Sequence, residues 1–505
     1  MRLLMSGAAL ASEKTQWREF QLAFWNAVKL CASLLATWAV ALAIRFVLPR
    51  QLGPEHYGSY SFASAFAASL FVLTSLGTET YVQKEVALRP SHASEFVGGV
   101  LAARAALAAA LFAGVALVLH LTGRPDEVRR LVYVFAAGQL FLVCNSTFSA
   151  LLHARGTVDG LAAANVTAKV LWGALTLLAL TMGLGLLALA AAFAVAEAVK
   201  ACALFALCRK HLCLRLRFDA KVTRRVIACS LPFFVTTLAT TLFTRIDDTL
   251  LGFLANDREV GWFGLASTLA QIAELLAPLM GAVLLPLFSR IAARSDAELR
   301  EAMRRALEIV LVFAISASIA LGLGADVCVA IMGGPEYGPS VLPVRILAPV
   351  FLLTYVGIVC ADYLYLYGRS WTVTAICLGG LLLNAALNAT LIRPMLGAFG
   401  PGSAGIAAAL ATVATETFTC ATLVITVGRQ VVDARVLSTA GKLLAGCAAA
   451  IVVDQLCKSL GPARLLLDAV AYCAVAVSTR AVRLEEIHAF AAQLRATRPA
   501  AEAPR

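Results

Sequence analysis

The sequence predicts an all-α polytopic membrane protein of about fourteen transmembrane helices. Three observations predict it. Of the 505 residues, 60% are hydrophobic and 14% charged, with a mean hydropathy of +0.83, whereas an average soluble domain is about half apolar and a quarter charged. Apolar runs of about 18 residues or more, each able to cross a roughly 30 Å hydrocarbon core as a helix, recur from Leu22 almost to Thr479. No polar stretch is long enough for a second, water-soluble domain.

In chain order the spans fall at approximately 24–48, 60–78, 96–120, 131–152, 161–182, 186–207, 227–253, 262–288, 308–332, 341–366, 371–394, 403–427, 438–456 and 463–480. The first run extends past the 7 to 15 residues of a signal peptide, so it reads as a retained helix. The fifth and sixth spans are divided only by Gly183, Leu184 and Gly185. Charge supports that division, because Lys and Arg accumulate on the cytoplasmic side of membrane proteins. With the N-terminus inside, it places about 27 Lys and Arg in cytoplasmic segments, about 7 outside and about 8 within spans. The largest basic loop holds Arg209, Lys210, Arg215, Arg217, Lys221, Arg224 and Arg225. The next is Arg290 to Arg305, where Ser295 and Glu298 form a capping box for a short cytoplasmic helix. The C-terminal tail, with Pro499 and Pro504, reads as disordered.

The net charge of +12 does not point to nucleic acid, since no basic helix, zinc spacing or RNA-binding aromatic motif accompanies it. Membrane topology accounts for it. The thirteen cysteines are scattered, mostly in apolar segments, and suggest no disulfide framework. Cys208, His211 and Cys213 share a loop, but their spacing fits no common zinc pattern, so neither metal nor cofactor is expected. A membrane glycosyltransferase or polymerase would need a substantial loop with paired carboxylates, and an ATPase a Gly-Lys-Ser/Thr phosphate loop. The sequence has neither, which argues against an enzyme.

The chain contains a diverged repeat. Laying Pro54–Ala67 on Asp257–Ala270 matches Gly58 with Gly261, Tyr60 with Phe263, and Ala63-Ser64 with Ala266-Ser267. Each element follows a long span and opens the next. A separation of six spans gives both halves one orientation, as in transporters built from parallel repeats.

Further motifs stand at ordered positions: Leu52-Gly53-Pro54-Glu55-His56-Tyr57-Gly58-Ser59-Tyr60, Arg245-Ile246-Asp247 with Leu250-Leu251-Gly252, Glu259-Val260-Gly261-Trp262-Phe263, Gly334-Pro335-Glu336-Tyr337-Gly338, and Leu383-Asn384 to Leu391-Ile392 with Gly405-Ile406-Ala407-Ala408. Over roughly residues 20 to 430 this pattern resembles the polysaccharide exporters and O-antigen-type flippases of the multidrug/oligosaccharidyl-lipid/polysaccharide superfamily. The resemblance implies two pseudo-symmetric six-helix lobes, residues 1–218 and 219–430, around a central cavity. Two extra helices and a cytoplasmic tail follow in 431–505. It also implies alternating access in the cell inner membrane, with an oligosaccharide on a polyprenyl pyrophosphate as cargo. Membrane lipids, a polysaccharide polymerase and glycosyltransferases are the implied partners. The alternative within the same superfamily is an ion-coupled multidrug or metabolite antiporter, which predicts an acid-dominated cavity and twelve spans.

An ionisable side chain in a span costs at least a few kcal/mol, so those that persist face a cavity or pair with one another. Lys29, Arg45, Lys200, Asp362 and Arg393 lie near span ends, where long stems reach the interface. Arg104, Lys169, Arg245 and Arg345 lie deeper and are candidate cavity cations, arginine in particular offering bidentate donors to phosphate. Glu274 is either their partner or a proton site; Glu197 and Glu416 are further intramembrane acids. In the seventh span Arg245, Asp247 and Asp248 lie within one turn, after Thr236, Thr237, Thr240, Thr241 and Thr244. Such hydroxyls bond back to helical carbonyls. The repeat sets Asp248 opposite Arg45, which suggests a charge pair closing an outer gate. Pro278 and Pro286 flank Gly281 and make the eighth span either a moving element or a static kink.

Overall fold

The computed structural model describes residues 2–88, 93–155, 157–212, 218–273, 277–428 and 433–481. The described chain is helical throughout, and by contacts it divides into two compact units, Met1–Gly264 and Leu265–Arg505.

The first unit holds α1 (Arg2–Phe71), α2 (Thr78–Leu88), α3 (Ala93–Leu121), α4 (Asp126–Ala154), α5 (Val158–Thr181), α6 (Leu186–Leu212), α7 (Ala220–Leu254) and the start of α8 (Asp257–Ala273). α1 is two helices joined at Gly53, whose φ of 70° breaks the helical path ahead of Pro54. Only glycine takes that conformation without strain, so the first two spans meet at this kink. α1 packs on α4, α5 and α7, and α4 packs on α6.

The second unit continues with α9 (Ala277–Ala292), α10 (Asp296–Leu323), α11 (Ala325–Met332), α12 (Val341–Leu366), α13 (Ser370–Phe399), α14 (Ser403–Val427), α15 (Ala434–Leu456) and α16 (Arg464–Ser478). Its core runs through α10, α12, α14 and α15, with Met303, Leu307, Tyr355 and Val359 buried at its centre. α16 packs back on α15. There Arg464 binds Asp454 through Nε at 2.6 Å and Asp326 through Nη2 at 2.7 and 2.8 Å.

Twelve described helices are long and apolar enough to cross a membrane. Dividing α1 at Gly53 gives thirteen; the expected eighth span, 262–288, falls on α8 and α9, with residues 274–276 between them outside the described residues. Two details differ from expectation. Ser295 does cap a helix, accepting from the Glu298 N–H at 3.4 Å, but that helix is not short: it runs unbroken as α10 through the ninth span. The ninth span ends at Leu323, where Gly324 caps it, so Asp326 opens the separate helix α11. The tail beyond Ala481 lies outside the described residues.

The two repeat elements meet within the first unit. A Cβ on Gly58 would run into the Asp257 carbonyl, and a Cβ on Gly261 would run into the Pro54 carbonyl. Pro54 and Asp257 are the same position of the repeat, as are Gly58 and Gly261. The contact is therefore isologous: each copy offers the other the same surface, as at a two-fold axis. Ser59 Oγ donates to Asp257 Oδ2 at 2.6 Å. From the α3–α4 turn, Arg124 reaches Asp257 Oδ1 at 2.9 Å while its guanidinium lies 4.4 Å from the Phe62 ring centroid. That desolvated cation–π and ion-pair arrangement stiffens the crossing.

Candidate functional site

Three helical faces of the first unit converge on a cavity of about 370 Å³. On α5 the lining residues Asn165, Ala168, Lys169 and Trp172 follow the i, i+3, i+4, i+7 spacing of one helix face. On α6, Phe193, Glu197 and Lys200 do the same, and α1 supplies Ser33, Thr37 and Trp38. The absence of a side chain at Gly173 lets α5 approach α1, since a Cβ there would lie 2.8 Å from Val40 Cγ1.

The polar groups are held from behind. Asn145 on α4, only 2% exposed, donates through Nδ2 to the Glu197 carboxylate at 2.8 Å and to the Glu197 carbonyl at 3.0 Å. That fixes the one acid of the cavity. Lys169 Nζ lies 3.9 Å from the Trp172 ring centroid, a cation–π contact. Among the described residues, neither Lys169 nor Lys200 has a carboxylate within ion-pair distance. Lys169 is in electrostatic reach of Glu197, Arg45 and Lys200, and Arg45 is in reach of Arg245, Tyr57 and Tyr60. Lys200, Lys169, Arg45 and Arg245 thus form a series of cations, each in electrostatic reach of the next.

The remaining expected site residues are placed differently. Arg104, a candidate cavity cation, is 3% exposed. Its guanidinium donates to Thr147 Oγ1 (2.6 Å), Val143 O (3.0 Å), Ser75 O (2.6 Å), Thr78 Oγ1 (2.9 Å) and Glu79 Oε1 (3.1 Å). It ties α2, α3 and α4 together and is not among the residues that line the cavity of α1, α5 and α6. Asp248 is buried, with Arg245 and Asp247 of its own helix as the charges acting on it, and its Oδ1 has no hydrogen-bond partner among the described residues. Arg245 of α7 is in electrostatic reach of Arg45. The threonines bond backwards along α7, Thr236 to the Pro232 carbonyl, Thr240 to that of Thr236 and Thr244 to that of Thr240. Arg345 lines a different cavity of about 410 Å³, in the second unit between α10, α12 and α15. Asp362, expected to reach the interface, is buried. Glu274 and Cys213, and the side chains of Lys29, Pro278 and Pro286, lie outside the described residues.

Against known proteins, residues 26–292, just over half of the chain, match the family described as Polysaccharide biosynthesis protein. The chain belongs to that family. Nothing among curated proteins matches this member of the Polysaccharide biosynthesis protein family by sequence. Its fold is shared with the lipid II flippase MurJ in an inward closed conformation, at 14% identity over 90% of this chain and 99% of that one, with a TM-score of 0.68. It is shared too with an inward-facing multidrug resistance MATE family transporter of the MOP superfamily, at 14% identity, 79% and 94% coverage and a TM-score of 0.58. A MOP superfamily transporter from Pyrococcus furiosus, described as having a binding pocket of reverse polarity, aligns at 14% identity over 80% and 96% with a TM-score of 0.54. This member of the family therefore has the MOP-type fold.

Sequence reasoning found Lys169 but not the cavity around it. Trp38, Trp172, Asn165 and Asn145 were not singled out, and Lys200 was read as reaching the interface. The face spacing from Asn165 to Trp172 was the available signal.

Proposed function

We propose that this chain is a flippase that carries a polyprenyl-pyrophosphate-linked oligosaccharide across the inner membrane by alternating access. The observation that carries the reading is the run of Lys200, Lys169, Arg45 and Arg245 inside a unit made of membrane-length helices. Cations are costly in a bilayer, and the successive pairs of this run, Lys200 with Lys169, Lys169 with Arg45 and Arg45 with Arg245, repel. A polyanionic cargo relieves that repulsion. The pyrophosphate supplies oxygens for the guanidinia of Arg45 and Arg245, while the polyprenyl chain stays in lipid. No covalent bond is made or broken, so the chain is not an enzyme.

Alternating access draws support from the isologous contact of the repeat elements. With the N-terminus in the cytoplasm, as the Lys and Arg bias favours, the kink at Gly53 and the start of α8 both lie at the outer face. The crossing of Gly58 with Gly261 then closes the outer side. The lobes of the reading are residues 1–218 and 219–430, with 431–505 as appended helices, and a polymerase and glycosyltransferases stand downstream and upstream of the cargo.

Deletion of the gene tests this. The reading expects lipid-linked oligosaccharide to accumulate on the inner leaflet, relieved by the wild-type copy and not by Arg245→Ala. Unchanged lipid-linked oligosaccharide with altered resistance to cationic compounds would favour the ion-coupled antiporter instead.

A further inference from the structure

We infer that the cavity of α1, α5 and α6 reads the glycan itself, and that it takes a sugar carrying a carboxylate. This inference rests on the flippase reading and assigns the cavity a part of the cargo distinct from the pyrophosphate.

The lining chemistry separates sugar from phosphate. Trp38 and Trp172 line the cavity from different helices, Trp172 carrying the Lys169 ammonium over its ring, and an aromatic face such as that of Trp38 pairs with the apolar C–H face of a pyranose, which a phosphate lacks. Glu197 is fixed by Asn145 with its carboxylate against the cavity. A fixed carboxylate repels phosphate at close quarters and accepts from sugar hydroxyls. The carboxamide of Asn165 both donates and accepts, as vicinal hydroxyls require. A neutral sugar would be served by these groups alone, yet Lys169 and Lys200 also line the cavity and outnumber its one acid. In a membrane-embedded cavity that excess positive charge selects an occupant with a compensating negative charge. A carboxylate held by two lysines, with hydroxyls on Glu197 and Asn165, satisfies all four groups. The volume of about 370 Å³ lies at the small end of ligand cavities and suits one sugar residue rather than a whole repeat unit.

Full-length protein in lipid nanodiscs, titrated with methyl glucuronide, methyl galacturonide, methyl glucoside and inorganic phosphate by saturation-transfer NMR, tests the assignment. At least one uronide is expected to bind saturably, roughly tenfold or more tighter than the glucoside, and phosphate should not displace it. Lys169→Met is expected to erase the preference for uronide over glucoside, and Trp38→Ala to weaken both sugars alike. Displacement of uronide by phosphate at equal concentration overturns the inference in favour of a simple anion site. Saturable glucoside binding equal to that of the uronides removes the acidic-sugar assignment, and no binding of any sugar removes the glycan assignment. The gene-deletion assay is independent: accumulation of lipid-linked oligosaccharide alongside a failed titration overturns this inference and leaves the flippase reading standing.

Discussion

Gly58 and Gly261 stand back to back at the crossing of the two repeat elements, each leaving room for the backbone that precedes the other. The reciprocity, Gly58 on the Asp257 carbonyl and Gly261 on that of Pro54, is what a duplicated element produces when its two copies pack on one another. It also makes the crossing intolerant of a single methyl group.

Gly58→Ala and Gly261→Ala should each force the crossing apart, at the cost of about 1–3 kcal/mol typical of an overpacked contact. Transport should fall roughly tenfold or more, and a cysteine placed at Ser59 should label faster with an impermeant thiol reagent. Gly114→Ala, with nothing near its added Cβ, should change neither. Slower labelling in Gly58→Ala would show that the crossing does not seal the outer side.

Arg124 and Asp257 should be energetically coupled. Their side chains are mostly buried, 14% and 19% exposed, so a double-mutant cycle of Arg124→Ala and Asp257→Ala, read as thermal stability, should return a coupling of about 1 kcal/mol. Strict additivity would assign Arg124 to its aromatic contacts with Phe62 and Phe253 alone.

Arg104 should behave as an anchor and not as a cargo ligand. Arg104→Met leaves the Glu79 carboxylate without its cation, a loss of about 3–5 kcal/mol for a broken buried pair, and should lower the yield of folded protein. Adding Glu79→Gln should recover part of it. Heating in detergent followed by size-exclusion chromatography reads both. An Arg104→Met protein that stays folded at wild-type temperature yet fails to transport would return Arg104 to the cargo path.

Asp326 gives the second unit an acid-sensitive tie. Burial raises its pKa, but the hydrogen bonds and charge of Arg464, with backbone donors, outweigh burial and hold its carboxyl below the usual range. A depressed folded-state value contributes stability above the ordinary aspartate pKa of about 3.9, which is lost as pH falls through the lower folded value. The difference in melting temperature between wild type and Asp326→Asn should be greatest at neutral pH and shrink as pH falls below about 4. A difference constant from pH 7 downward through the acid range would remove the tie.

The spans were legible because each must be apolar over about 18 residues, a constraint local to the chain. The repeat was legible for the same reason: Gly58 and Gly261 each sit in a short motif beside a span end. What the sequence did not carry was side-chain direction across helices. Arg104 and Lys169 look alike as cations deep in spans. One finds Glu79 on α2, a helix beyond the second span, and the other opens on a cavity. Repeat register alone pairs Arg45 with Asp248, and register says nothing of helix rotation: the charges acting on the Asp248 carboxylate are Arg245 and Asp247 of its own helix. Continuity of α10 was hidden by the charged segment Asp296 to Arg305, whose Arg304 and Arg305 pair with Glu301 on the helix surface. Those pairs support the turns that carry the short helix expected after Ser295 on into the ninth span.

The most direct measurement of the central claim is flipping itself. Purified protein is reconstituted into liposomes with a fluorescent polyprenyl-pyrophosphate oligosaccharide, and bleaching by an impermeant reductant reports how much of it reaches the outer leaflet. Wild type should expose inner-leaflet lipid at a rate well above empty liposomes, Arg245→Ala and Lys169→Ala should slow it roughly tenfold or more, and a fluorescent lipid lacking the pyrophosphate and glycan should not be moved. Equal bleaching with and without the protein, or equal rates for both lipids, would contradict that claim.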